Sequence, residues 1–205
     1  MTEAPSVAKS PPGLDFTFDE SVSEWNIPGP QWLKLNEKTW DGLASGALVF
    51  DDKDRILLVQ RAPNDSMPNL WEIPGGAVDD DDPSVLYGCA RELWEEAGLV
   101  ARHVKHVIPD GFNGKPGAVF TNRTGKIFWC KFSFEVDVID TREVKLDPNE
   151  HQDFVWATEE EVINQAIGER KIPLANSLIV NILREGFQLR RSGKETKAEA
   201  AAGDS

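Results

Sequence analysis

Two apolar runs, SGALVF at 45–50 and RILLVQR at 55–61, flank the acidic tetrapeptide DDKD. Runs of this length on either side of a turn predict two strands joined as a hairpin. Further strands are predicted at about 104–109, at KIFWCKFSFEVDV (126–138) and at DFVWA (153–157). Glycine, proline and asparagine mark 110–125 and 139–150 as loops. A helix is predicted from Pro83 to Ala97, ending at Gly98, a residue suited to the left-handed cap. Thr158 and Glu161 have capping-box spacing and open a second helix, EEEVINQA, and a third should run from about Asn176 to Leu189. Strands and helices mix without regular βαβ alternation, so the α/β class expected is a mixed sheet with helices on its faces.

The ends differ from this pattern. Residues 1–13 and 192–205 hold too few apolar side chains to offset the entropy of ordering them, and both are expected to be disordered tails. Leu14 to Trp40 carries Trp25, Trp32 and Trp40, which is too aromatic for a linker; this N-terminal extension is expected to pack on the core or cover the site. Composition adds limits: 40% hydrophobic and 28% charged residues suit a globular chain, and no apolar run spans a bilayer, so no membrane partner is expected. MTEAPSVAKSPPG lacks the features of a secretory signal, which predicts a cytoplasmic location. Cys89 and Cys130 lack ligand spacing and read as reduced core thiols. A net charge of −13 would repel polyphosphate and nucleic acid alike, so no nucleic acid polymer is expected as partner and a phosphate substrate would need a cation.

In ARELWEEAGL the residues Glu92, Glu95 and Glu96 stand at i, i+3 and i+4 and project from one helix face. Such a cluster costs a few tenths of a kcal/mol per pair unless a hard divalent cation turns repulsion into ligation. Alone it would read as an exposed acidic face. Upstream, however, WEIPGG (71–76) leads a strand-like segment into two glycines, whose backbone can turn sharply and approach a ligand.

PGG at 74–76 followed by RELWEEAGL at 91–99 closely resembles the signature of the Nudix superfamily, whose second half runs Arg-Glu-apolar-x-Glu-Glu-x-Gly-apolar; every specified position of that half matches. The resemblance extends to RILLVQR before the loop and EHQDFVWATEEEV (150–162) after it, covering about residues 45 to 190 of a domain taken as 41–191. It implies a Nudix-type α/β/α sandwich around a mixed β-sheet, with a loop, helix and loop that bind Mg2+ or Mn2+. Family members attack a diphosphate with water. By position, Glu95 and Glu96 are implied as direct metal ligands, Glu92 as a further ligand or the base, Gly76 as a carbonyl ligand, and Arg91 as the residue that orients a neighbouring glutamate. A loop glutamate at the place of Glu150, six residues before Trp156, contacts metal or activates water in similar members.

The chain departs from the pattern at one place. Gly76 and Arg91 are one residue further apart than usual, and Pro83 stands eight before Arg91, where the family commonly has glutamate. One of Asp79, Asp80, Asp81 and Asp82 is a candidate to replace that acid; the plainer reading is a solvated acidic turn with Asp82 as N-cap. His151 reads as a hydrogen-bonding partner rather than the base, and His103 and His106 as structural.

Hydrolysis builds negative charge on phosphate oxygens, so cations are wanted. Arg61, Lys126, Lys131 and Arg123 are the candidates for the substrate phosphates, against an ordinary reading as surface residues. Trp71, Trp94 and Trp129 read as core, whereas Trp25, Trp32, Phe112 and Phe120 sit on less regular segments and are the candidates to line the pocket. The leading expectation is a hydrolase of nucleoside di- or triphosphates or other nucleoside diphosphate derivatives, acting on a small-molecule diphosphate. The alternatives are an isoprenoid diphosphate hydrolase with an aromatic N-terminal wall, and a non-catalytic module of the same fold that senses a ligand or contacts a partner. Intact Arg91, Glu92, Glu95 and Glu96 argue against the last. A homodimer stays open.

Overall fold

Asp51 organises the first turn: its carboxylate accepts from the N–H of Lys53 (3.0 Å) and of Arg55 (2.8 Å) and pairs with the Arg55 guanidinium. The computed structural model describes residues 13–109, 114–121 and 124–203, with side chains as far as Gly193. In chain order it forms β1 (Thr17–Phe18), a 3₁₀ turn (Glu20–Trp25), α1 (Gly29–Leu35), β2 (Gly42–Leu48), β3 (Ile56–Arg61), β4 (Trp71–Glu72), α2 (Val85–Ala97), β5 (Ala101–Ile108), β6 (Ala118–Thr121), β7 (Phe128–Val138), β8 (His151–Ala157), α3 (Glu159–Asn164), β9 (Ala166–Ile167), β10 (Arg170–Lys171) and α4 (Ser177–Gly203).

The strands on either side of Asp51 do not form the full hairpin their apolar runs predict. They touch at one antiparallel bridge, Phe50 to Ile56, and then enter different sheets. β2 lies parallel to β7 at the edge of a five-stranded mixed sheet ordered β1-β5-β7-β2, in which β6 also pairs β7. β3 is the centre of an antiparallel sheet ordered β4-β3-β8. The reason is that both strands are apolar on both faces. Leu43, Ala47 and Val49, with Leu57 and Val59, face one core; Leu48, Phe50, Ile56 and Leu58 face another. Alternation distributes each strand between two cores, and a strand covered on both faces reads as a continuous apolar run.

The first core lies under α2 and includes Leu86, Leu93, Phe132 and Phe134; the second lies under α3 and α4 and includes Trp71, Val162, Ile179, Leu183 and Phe187. Helices thus cover both sides, and the α/β class with a mixed sheet is what forms. Val22, Trp25 and Trp32 belong to the first core, with Trp32 packed edge-on to Phe132 at 4.9 Å between ring centroids. The segment before β2 is therefore built into the main packing.

Several boundaries differ from those predicted: β2, β5 and β8 begin earlier than expected, and three further differences concern other elements. A short strand, β6, occupies part of the expected 110–125 loop. The first predicted helix starts at Val85, with Ser84 as N-cap accepting from the Tyr87 N–H at 3.0 Å. The last helix continues from the expected end near Leu189 to Gly203, through residues read as a tail. Lys, Glu and Ala there are strong helix formers, and extending a docked helix costs far less than nucleating one. Gly98 caps α2 at φ 69° and the capping box of Thr158 and Glu161 opens α3, both as predicted. Residues 1–12 of the expected N-terminal tail lie outside the described residues.

Candidate metal and catalytic site

After β4 the chain enters Pro74-Gly75-Gly76 and runs antiparallel along the outer edge of β2: the Ala47 N–H donates to the Pro74 carbonyl and the Ser45 N–H to the Gly76 carbonyl, both at 2.9 Å. Gly75 sits at φ 146°, and a Cβ there would run into the Ser45 carbonyl, so the loop requires glycine. The Gly75 N–H donates to Glu96 Oε2 at 2.6 Å. A Cβ on Gly76 would stand 2.6 Å from Glu92 Oε2, so the loop backbone lies directly against the helix carboxylates.

The structure turns the Gly76 carbonyl, implied as a metal ligand, toward Ser45 on β2. Gly75 is the loop residue that bonds a carboxylate of the cluster, and only the local backbone path distinguishes the two adjacent glycines.

Arg91 organises α2 with five hydrogen bonds: Nε and Nη2 to the two oxygens of Asp82 (3.0 and 2.9 Å), Nη1 to Glu92 and to Glu95 (both 2.9 Å), and Nη2 to the Ala77 carbonyl (2.9 Å). Asp82, 5% exposed, is thus neither a solvated turn residue nor the N-cap. It is the buried acid beside Pro83, and its second role is to accept from the Asp79 N–H at 2.8 Å.

Glu150 and His151 arrive from the other sheet. The segment before β8 is stitched to the end of α2 by Lys145 N–H to the Ala97 carbonyl (2.8 Å) and Asp147 N–H to the Glu96 carbonyl (3.2 Å). Glu150 follows a turn held by Asp147, and its carbonyl accepts from the Ala62 N–H at 2.7 Å. One donor atom each of Glu96, Glu150 and His151 lies within 4.8 Å of the others. Glu92 and Glu95 sit one helical step away under Arg91, with Glu95 the more exposed.

The electrostatics of this grouping call for a cation. Burial pushes the Glu92 carboxyl up to about 7 against the pull of Arg91, and the charges of Glu95 and Glu150 add to the push. Burial likewise drives Glu96 well above the ordinary carboxylate range, opposed by the Gly75 N–H and reinforced by Glu92 and Glu72. Buried carboxylates that cannot all ionise together, with oxygen donors from a helix and a loop, fit a hard divalent cation.

Around them lies a second set of charges. Glu72 is held below its usual range, despite burial, by His151, Lys131 and Arg61. Arg61 pairs with Glu72 and with Asp65, so the guanidinium expected to meet substrate is committed to two carboxylates. Lys131 on β7 projects past Gly46, where a Cβ would meet its Cε at 2.8 Å, and its charge reaches both Glu72 and Glu96.

Other expected pocket residues lie differently. Trp32, 4% exposed with one face stacked toward Trp40, is part of the core rather than an open ring, and Trp25 is buried beside it. Of the two expectations for the aromatic stretch, packing on the core is the one these rings meet, against Phe132 of β7. Phe120 is exposed at the edge strand β6, paired in register with Trp129. Phe112 and Arg123 lie outside the described residues. His103 bonds Thr17 (2.6 Å) and Asp19 (3.0 Å), and His106 faces Glu135 (3.3 Å), away from the carboxylate cluster. Cys89 and Cys130 are buried thiols, not joined in a disulfide.

A glycine loop and an acidic helix meeting between two sheets define a Nudix-type hydrolase fold. Residues 40–176 match the NUDIX domain, and the chain belongs to that family. It is 37% identical over 89 residues to a CMP-5'-(N-acetyl-N-hydroxy-3-aminopropyl)phosphonate hydrolase of Streptomyces rubellomurinus, a match covering 43% of this chain and 42% of that protein. It is 28% identical over 140 residues to the CTP pyrophosphohydrolase of Escherichia coli, covering 65% of this chain and 88% of that one. The fold is shared with the MutT protein of Methanosarcina mazei Go1 at a TM-score of 0.54 and 24% identity, over 73% of this chain and 94% of the other. Among the described residues no helix is long and apolar enough to cross a membrane.

Proposed function

We propose that the chain is a metal-dependent hydrolase of a diphosphate linkage in a nucleoside di- or triphosphate or another nucleoside diphosphate derivative, working in the cytoplasm. The observation that carries this reading is the placing of Glu92 and Glu96 against the Gly75–Gly76 loop with Glu150 close to Glu96, the two helix carboxyls being held toward the protonated state by burial and repulsion from neighbouring carboxylates.

Glu92, Glu95, Glu96 and Glu150 would hold Mg2+ or Mn2+. When bound, the ion supplies charge to the phosphate oxygens and acidifies water. The side chains of this chain do the rest. Arg91 fixes the rotamers of Glu92 and Glu95, and the Gly75 N–H fixes Glu96. Glu150, on the solvent side of the cluster, takes the proton from the attacking water. Lys131, whose charge reaches both Glu72 and Glu96, is the cation best placed to meet a phosphate.

A nucleotide substrate is favoured over an isoprenoid diphosphate because the indoles that would wall a lipid channel, Trp25 and Trp32, are packed into the core. The test is phosphate-coupled turnover of nucleotides, nucleotide sugars, dinucleotides and prenyl diphosphates with Mg2+ or Mn2+, with Glu96→Gln as control. Turnover of a nucleoside class that the substitution abolishes supports the reading. Turnover of prenyl diphosphates alone overturns the substrate class, and activity that survives chelation or Glu96→Gln overturns the metal role.

A further inference from the structure

His151 is buried to 2% exposure at the first position of β8, against the carboxylate cluster, and the family signature assigns it no part. Its Nδ1 is buried without a hydrogen-bond partner, while Nε2 lies 3.6 Å from Glu72 Oε1. Buried ring nitrogens are normally satisfied, so an orphan beside two carboxylates needs a cause. The backbone supplies the aim: the ladder between β3 and β8 shifts register between Gln60 and Arg61, where Arg61 faces His151. Such irregularities turn a side chain out of the regular pleat, and they are common beside active sites.

We propose that His151 is a nitrogen ligand of the metal site, completing with Glu96 and Glu150 a mixed oxygen and nitrogen donor set that favours Mn2+ over Mg2+. The inference rests on the reading of the carboxylates as a metal site. Donors around one such ion, each at about 2.0–2.2 Å, stand at most about 4.4 Å apart, so a group already within 4.8 Å needs only a few tenths of an ångström of closure. Glu72 has the place of the outer carboxylate that usually receives the other N–H of a ligating histidine and fixes its orientation. Arg61, paired with Glu72, steadies that carboxylate in turn. Mg2+ prefers oxygen and water ligands, whereas imidazole suits transition ions.

The test uses the full chain loaded with Mn2+ and read by pulsed electron paramagnetic resonance, which detects nitrogen bound directly to the ion. The expected spectrum carries one imidazole nitrogen coupling that changes isotope when histidine is supplied as the 15N form and disappears in His151→Gln. Calorimetry should give a fall of about tenfold or more in Mn2+ affinity for His151→Gln, with Mg2+ affinity changed less than about threefold. The labelled parent protein answers the question without any variant, so a poorly folding substitution does not remove the test. Mn2+ bound without a histidine coupling overturns the proposal and leaves the carboxylate site standing. No saturable binding of Mn2+ or Mg2+ overturns the carboxylate site itself, and the proposal with it.

Discussion

Asp82 holds Arg91 through both carboxylate oxygens, at 3.0 Å to Nε and 2.9 Å to Nη2, and so fixes from below the guanidinium that grips Glu92 and Glu95 from above. The acid sits beside Pro83, where the extra residue between Gly76 and Arg91 is absorbed by the loop. Asp82→Ala leaves a buried guanidinium short of its strongest partner. It should cost about 3 kcal/mol in urea unfolding and lower kcat along with it. Unchanged stability would mean that the fork is not what positions the helix carboxylates.

Glu96→Gln separates chemistry from folding. The amide oxygen can still accept from the Gly75 N–H, and a charge disfavoured by burial is removed. Without metal the variant should be as stable as the parent or more so near pH 8, while turnover falls by about a hundredfold or more. A large loss of thermal stability would assign Glu96 a structural role instead.

The raised Glu92 carboxyl makes metal-free stability depend on pH. Its folded value of about 7 exceeds the unfolded 4.5, so the native state binds more protons between these limits. Its contribution is complete below 4.5 and is lost as pH rises through 7, an effect on the order of a few kcal/mol. Urea midpoints with chelator, compared with Glu92→Gln, isolate the slope. Mg2+ or Mn2+ should reverse it, because binding wants the ionised form. Identical slopes in the two proteins would dismiss the shift.

Lys131→Met should raise KM by about tenfold or more, the range of a charge-assisted hydrogen bond, with a smaller effect on kcat. Metal affinity, measured separately, should not weaken, since a positive charge near Glu96 is being removed. A loss confined to metal binding would place Lys131 in support of the carboxylates rather than on substrate.

Trp32→Ala distinguishes core from pocket. Filling space against Phe132, the indole should be worth about 3–5 kcal/mol of stability. The KM of the folded fraction should stay within about twofold, and a tenfold KM change at unchanged stability would return Trp32 to the substrate.

The helix carboxylates were legible in the sequence because a spacing of three and four residues fixes a shared face without knowledge of the rest of the fold. Gly75 and Asp82 were legible only as one of two glycines and one of four aspartates, since the choice depends on how the loop tracks β2 and how an inserted residue is taken up. Hydrophobic pattern found β2 and β3 but could not say that they leave their common turn for separate sheets, because a strand covered on both faces has no polar side to orient it. Trp32 had no periodic context, so its burial emerged only with β7 as its neighbour.

The loop that carries Gly75 and Gly76 also closes the outer side of β2, bonding Ser45 and Ala47 where the five-stranded sheet would otherwise end in unpaired backbone. An uncovered strand rim invites pairing between molecules. Variants that loosen the loop should therefore lose soluble yield as well as turnover, and concentration-dependent light scattering would register the first loss even where no substrate is known.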